Sequence, residues 1–307
     1  MYIKSPTERD KMLIFLADGR LGNQIFQYMF LKTISKKNER IICLNMKMLF
    51  KSFDFDKHII WHSSDKYVCL LIQKIIIPLL LRPLSKVRII NYIEQKKDLN
   101  LRPLPDWREK KGLFSYIRYV NTDFFQSEIF FNQSQINISN LQIKGKYLTE
   151  ARQFLSEISD NYTKVFVHIR RGDYIRESFM EERGIDLPKY YFENAINLIK
   201  EKIKNPFFIF LSDDPSYIEC CFQEIEPKII SKKSMQVDLA IMTLCKAGVI
   251  SNSSFSWWGA YLMNERNLVI APKYWYGWKK KIESHPGIQP SFSIIIDVNK
   301  DKNHWLW

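Results

Sequence analysis

Three clusters of polar residues in the second half of the chain carry the chemistry that the sequence offers. The first is VFVHIRRGDY, in which an apolar run ends in His168, Arg170, Arg171, Gly172 and Asp173. Two neighbouring guanidiniums, each a rigid fork of donors, suit a phosphate or diphosphate better than they suit an ion pair with the single following Asp173. The competing reading is a solvated Arg–Asp pair in a surface turn. The second cluster is FFIFLSDDP, where Ser212, Asp213 and Asp214 follow an apolar run and precede a helix start at Pro215. Its carboxylates could accept from the N–H donors of guanine or from ribose hydroxyls, while a plain N-cap would need only one of them. The third is AGVISNSSFSWWGA, with Asn252, Ser253, Ser254 and Ser256 at the mouth of a helix. Capping alone asks for one such residue, whereas free helix amides beside several hydroxyls make an anion site, with the helix dipole adding roughly 0.3–1 kcal/mol. Together the clusters describe a site for a nucleoside diphosphate with no P-loop lysine and no obvious metal ligands. Charge on such a leaving group must then be met by arginine and helix amides.

The elements that must position these clusters alternate regularly. Strands are predicted at Val165 to Ile169, Phe207 to Leu211, near Ile229, Gly248 to Ile250 and Leu268 to Ala271. Helices are predicted at Pro188 to Ile203, Pro215 to Phe222, Val237 to Lys246 and Phe255 to Asn264. That alternation implies parallel strands joined by right-handed crossovers, which bring all three clusters to one edge of a Rossmann-like sheet. Near the start, a strand at Met12 to Ala17 leads through GRLGNQ into a helix at Ile25 to Lys37. The Gly-x-x-Gly spacing reads first as a tight turn and second as a close backbone approach to a ligand. Residues 45–140 give mixed signals, broken by Pro78, Pro83, Pro103 and Pro105. A domain boundary is expected near Asp160, after a helix at Thr149 to Ser159.

A chain of 307 residues has room for two domains, and 46 basic against 33 acidic residues leave a net charge of +13. That excess favours an anionic partner without choosing among nucleotide, nucleic acid and lipid surface. A nucleic-acid-binding module is the competing class, but its best basic and aromatic run, YWYGWKKK, is one short loop. Five cysteines without a CxxC pair argue against a disulfide frame or a zinc site and suit a reducing compartment. Asp54 and Asp56 have the D-x-D spacing of some metal-holding transferases and are read as a loop instead. From Lys66 to Ile93 there are five basic residues and no acidic one, around an apolar stretch interrupted by Gln73, Lys74 and Pro78. This segment reads either as a peripheral membrane contact that does not span the bilayer or as a pair of core helices.

HIRRGDY, the acidic pair of LSDD and SNSSFSWWGA, together with GRLGNQIFQY near the start, closely resemble the bacterial α-1,2-fucosyltransferases of glycosyltransferase family 11. That family is related to protein O-fucosyltransferases and α-1,6-fucosyltransferases. The match covers both halves in the same order and leaves roughly residues 45–147 uncovered, where acceptor specificity is expected. The resemblance implies an α/β fold of two Rossmann-like domains facing a cleft, GT-B-like, with an acceptor-side domain at 1–160 and a GDP-fucose-binding domain at 161–307. It implies inverting transfer of fucose from GDP-fucose to the 2-hydroxyl of a galactoside or similar sugar in a surface glycan, with no cofactor and no metal. Carried over, Arg170 would contact the β-phosphate, His168 the guanosine, and Asp213 or Asp214 the guanine. Arg171 would join the donor contacts, and Asn252, Ser253, Ser254, Phe255 and Ser256 would hold phosphate or ribose. Arg20, Gly22, Asn23 and Gln24 resemble the donor-facing loop of the protein O-fucosyltransferases. The general base stays open among Asp173, Asp18 and Asp123. Another GDP-sugar or another acceptor hydroxyl is the runner-up. The expected setting is cytoplasmic and the expected acceptor a glycan; a peripheral place on the cytoplasmic face of the inner membrane and a lipid-linked form of that acceptor are options within this expectation.

Overall fold

The computed structural model describes residues 11–55, 60–63, 65–132 and 141–299. The chain divides into two compact units, Met1–Gln142 and Ile143–Trp307, each built on a six-stranded sheet with helices, so the expected pair of Rossmann-like α/β layers is present. The division falls before the helix Gly145–Leu155 and not after it, as the 160/161 boundary would require. That helix packs its buried Tyr147, Ala151, Phe154 and Leu155 within the second unit, against the helix Met235–Leu244.

In the second unit the strands are β7 (Thr163–Ile169), β10 (Pro206–Ser212), β11 (Lys228–Ile230), β12 (Ala247–Val249), β13 (Leu268–Pro272) and β14 (Ile294–Ile296). A small hairpin, β8 (Ser178–Phe179) and β9 (Glu182–Arg183), stands apart from this sheet. All six strands of the sheet pair in parallel, in the order β11-β10-β7-β12-β13-β14. Numbered within the unit that order is 3-2-1-4-5-6, the doubly wound arrangement whose switch point lies between the first and fourth strands, here β7 and β12. Strands buried on both faces read as unbroken apolar runs. Val165, Val167 and Ile169 accordingly meet Tyr191, Ala195 and Ile199 of the helix Lys189–Lys202 in one core. Gly248 of β12 lies under the Phe166 ring so closely that a Cβ there would stand 2.1 Å from a ring carbon.

The first unit has β1 (Lys11–Leu16), β2 (Glu39–Leu44), β3 (Ile60–Ser63), β4 (Ile90–Lys97), β5 (Pro103–Lys110) and β6 (Phe114–Val120), in the order β3-β2-β1-β6-β4-β5. Only β5 is antiparallel, at the edge, where its prolines remove no ladder bond that the sheet needs. The switch point is between β1 and β6. Arg118 of β6, 1% exposed, ties this sheet together by donating to Glu39, to Glu109 and to the Ile34 carbonyl. The Lys66–Lys86 segment is one helix of 21 residues, not a pair. Its middle, Ile72–Leu81, is wound as a π-helix, with Arg82 N–H donating to the Ile77 carbonyl five residues back. The wider turn accommodates Pro78, whose ring would strike a carbonyl in an ordinary α-helix.

Candidate active site

The carboxyl ends of β7, β10, β11 and β12 bring the three polar clusters to one edge of the second unit, astride its switch point. His168 is the penultimate residue of β7 and is buried; its Nδ1 lies 2.8 Å from Ser251 Oγ, just past β12, so the pair bridges the two diverging halves of the sheet. Burial, with Arg170 nearby, pushes the imidazole down to about 3, so it is neutral near pH 7. The Phe255 ring stands 5.5 Å from it.

The two arginines are not free forks. Arg170 donates through one terminal nitrogen to Asp173, and its other terminal nitrogen forms an ion pair with Asp213 at 2.7 Å. Arg171 reaches Asp214 and Asp186, each at 3.3 Å, and its guanidinium lies 3.7 Å over the Tyr217 ring. The expectation that a single carboxylate would compete for these arginines is therefore corrected: four carboxylates collar two guanidiniums. The extra three arrive through topology, because β10, which lies beside β7, ends at Asp213 and Asp214, and the loop after β9 returns Asp186 to the same edge. Gly172 lets Asp213 approach closely, since a Cβ would stand 2.3 Å from Asp213 Oδ2 and push that carboxylate aside.

Asp213 accepts from the Arg171 backbone N–H at 2.9 Å, while Asp214 is the N-cap of the helix Pro215–Cys221 and accepts from Tyr217 N–H. Of the Asn252 to Ser256 run, Ser253 is the N-cap of the helix Ser254–Tyr261 and accepts from Phe255 N–H. Ser256 faces inward, donating to the Ser253 carbonyl at 3.2 Å, so it is part of the packing and not of an open anion site. Asn252 is wholly buried and donates to the Ile185 carbonyl at 2.6 Å, while its Oδ1 has no hydrogen-bond partner among the described residues. Ser254 and Phe255 remain partly exposed at the helix mouth. Trp257 and Trp258 are packing residues, both fully buried.

Two groups at this edge escape inspection of the sequence. Tyr174 and Tyr276 share a hydrogen bond of 2.9 Å, and Arg170 stands 5.1 Å over the Tyr174 ring. Asp238, in the first turn of the helix Met235–Leu244, accepts at 2.6 Å from Ser231 Oγ, one residue past β11. Burial pushes its carboxyl up to about 7. An acidic residue inside the otherwise apolar stretch MQVDLAIM is the signal that could have drawn attention to it.

Arg20, Gly22, Asn23 and Gln24 belong to the first unit and to its own switch point. The helix begins at Leu21, earlier than expected, so Gly22, Asn23 and Gln24 form its first turn, and the turn residue is Gly19 with a φ of +81°. A Cβ on Gly19 would stand 2.4 Å from Asn23 Nδ2. Gln24 is buried and donates to the Gly19 and Asn45 carbonyls while accepting from Leu49 N–H, which makes it a loop clamp. Asn23 Oδ1 accepts from Gln126 Nε2 at 2.7 Å, across from β6. Arg20 and Asp18 are exposed, and Asp123 is paired with Lys97 at 3.4 Å. Among the described residues no group of three or more His, Cys, Asp or Glu stands where it could hold a metal ion; Asp56 lies outside the described residues.

Comparison with known proteins gives the likeness of fold and the family. The NodZ α-1,6-fucosyltransferase of Bradyrhizobium, solved with GDP, superposes with a TM-score of 0.52 at 11% identity, over 83% of this chain and 93% of NodZ, a likeness of fold. An α-1,2-colitosyltransferase of Escherichia coli is 28% identical over 278 residues, 84% of this chain and 90% of that one. The galactoside 2-α-L-fucosyltransferase SEC1 of Bos taurus is 26% identical over 273 residues, 83% of this chain and 65% of that one. The model of glycosyl transferase family 11 matches residues 4–285, most of the chain, which is thus a glycosyltransferase and belongs to that family.

Proposed function

We propose that the protein transfers fucose from GDP-fucose, with inversion, to the 2-hydroxyl of a galactoside or similar sugar in a surface glycan, and that it does so without a metal. The observation that carries this reading is that β7 and β12 end side by side at the switch point, with Arg170 and Arg171 following the one and the Ser253–Phe255 helix mouth following the other, where a doubly wound sheet takes a nucleotide. The diphosphate would replace carboxylates on Arg170 and Arg171 and lie against the amides of the helix Ser254–Tyr261. Neutral, buried His168 then offers the nucleoside a hydrogen-bonding ring that brings no second positive charge. Asp213, Asp214 and Asp238, on the β10 and β11 side, are the acceptors for N–H donors of the base.

In the transfer itself the acceptor oxygen attacks the fucose anomeric carbon from the face opposite GDP. The bond from that carbon to the β-phosphate oxygen breaks, and its electron pair leaves with the diphosphate, stabilised by Arg170 and the helix amides. The acceptor proton passes to a carboxylate. Asp173 is the candidate within this unit, since a diphosphate that takes Arg170 also releases Asp173 from it.

The test is GDP release from GDP-fucose with a panel of galactosides, run with and without EDTA. Turnover unaffected by EDTA is expected, and its loss would reinstate a metal. A second donor is favoured by the similarity to an α-1,2-colitosyltransferase. Running GDP-colitose beside GDP-fucose decides between them, because the two sugars differ by a hydroxyl that a built site can discriminate strongly.

A further inference from the structure

The helix Lys66–Lys86 has two unlike faces. Ile77 and Leu81 are buried against Leu16, Leu44, Ile90 and Tyr119 of the first unit's sheet, with Ile72, Ile76 and Leu84 beside them. The π-wound middle keeps these inward residues in line at spacings of four and five, which an α-helix of the same sequence would rotate away. The opposite face is apolar as well. Tyr67, Leu71, Ile75 and Leu79 follow one another at intervals of four, with Tyr67 80% and Leu79 73% exposed, and Leu80 stands beside them. Past the helix end the surface continues through Val87 and Leu113, joined where Leu113 N–H donates to the Arg88 carbonyl at 2.8 Å. An outward row of this extent is unusual for a surface in contact only with water.

The rim of that face is basic. Lys66, Lys74, Lys86 and Arg88 are exposed along this segment, Arg82 reaches the Tyr119 hydroxyl, and Lys66 to Ile93 holds no acidic residue. Lys66, Lys74, Lys86 and Arg88 are exposed and form no ion pair with any described residue. We propose that this face is a docking surface for an anionic lipid bilayer, the helix lying in the plane of the interface. Tyr67, Leu71, Ile75, Leu79 and Leu80 enter the boundary between headgroups and acyl chains, while the lysines and arginines meet acidic headgroups. Charge decides against a second copy of the chain as the occupant, because two such faces would set five basic residues against five. Packing decides against a crossing, because insertion through the bilayer would strip Ile77 and Leu81 from the sheet. The inference does not depend on which sugar is transferred, but it places the protein where a lipid-linked acceptor would be found.

The test uses the whole protein and extruded vesicles of phosphatidylcholine, with or without roughly one third phosphatidylglycerol. Cosedimentation with the anionic vesicles should be at least tenfold tighter than with the neutral ones and should weaken as salt is raised, since each basic residue near the surface contributes about fivefold. The variant Leu71→Gln/Leu79→Gln, altered only at exposed positions, should lose at least tenfold in partitioning with an unchanged melting temperature. Lys74→Gln/Lys86→Gln, which leaves the apolar row intact, should weaken binding to the anionic vesicles by about 25-fold without changing binding to the neutral ones, and serves equally should the leucine variant fold poorly. The proposal is overturned by equal binding of variants and parent, or by no binding to either vesicle. It is also overturned by concentration-dependent dimerisation that the leucine variant abolishes, or by resistance of the bound protein to carbonate extraction. None of these outcomes bears on donor turnover in solution, so failure here and failure of the transferase reading are separable.

Discussion

Replacing Asp238 with Asn should make the protein harder to unfold at pH 8 while making it a poorer catalyst. Burial pushes this carboxyl up to about 7, where an unfolded Asp titrates near ~3.9. Between those values the folded protein keeps a proton that the unfolded chain gives up. Stability therefore falls as pH rises through that window and levels off above it. A gap of about three pH units corresponds to about 4 kcal/mol. Asp238 is partly exposed, and solvent screening brings the figure to about 2 kcal/mol. Asn carries no charge and keeps an oxygen to accept from Ser231 Oγ, so the substitution removes the cost without breaking that bond. In a unit of this size about 2 kcal/mol raises the melting temperature by roughly 4–8 °C. Thermal melts of both proteins at pH 4.5 and pH 8 provide the assay, with a clear gain at pH 8 and little at pH 4.5. In parallel, kcat/KM for the donor should fall about tenfold, because a site residue held at a cost in stability loses its purpose when neutral. A gain of equal size at both pH values, or none at either, would refute the reasoning.

His168 works in the opposite direction. Its folded value of about 3 lies below that of a free imidazole, so the unfolded chain binds the extra proton first and stability should drop as pH falls below about 6.5; His168→Gln should flatten that limb of a melting-temperature profile. Arg170→Lys should cut turnover at saturating donor more than tenfold, since one ammonium cannot replace a fork that spans Asp173 and Asp213, and near-normal kinetics would remove Arg170 from the mechanism. Gly172→Ala should displace Asp213, whose Oδ2 lies 2.3 Å from the added carbon, and raise KM for the donor with less effect on folding. Gly248→Ala should destabilise by about 1–3 kcal/mol through collision with Phe166, read from urea unfolding, with the substrate profile of the remaining folded protein unchanged.

Much of the second unit could be read from its residues because fully buried parallel strands leave a simple trace. VFVHI, FFIFL and LVIA are apolar runs that stop where the chain turns, and β7, β10 and β13 lie where those runs lie. The first unit was harder. β5 carries Pro103 and Pro105 and alternates with charged residues, as an edge strand can, and nothing local distinguishes such a segment from a loop. Pro78 pointed to a break in the Lys66–Lys86 helix, and only the π-winding, which no spacing rule anticipates, lets the helix continue. The polar clusters were found because three of them adjoin legible strands. Asp186 was not, since its place beside Arg171 depends on the path of the chain after β9. Hydroxyls count alike in a sequence, so Ser256 reads as one of the helix-mouth group, whereas its carbonyl partners turn it inward.

The collar of Asp173, Asp186, Asp213 and Asp214 about two arginines leaves that cluster with two negative charges more than positive ones. An incoming anion must therefore evict a carboxylate that is already well placed, and the exchange is favourable only for a ligand that engages both guanidiniums at once. On the proposed reading, recognition of the donor at these arginines is therefore an exchange of one set of anionic partners for another, and not the filling of an open cationic pocket.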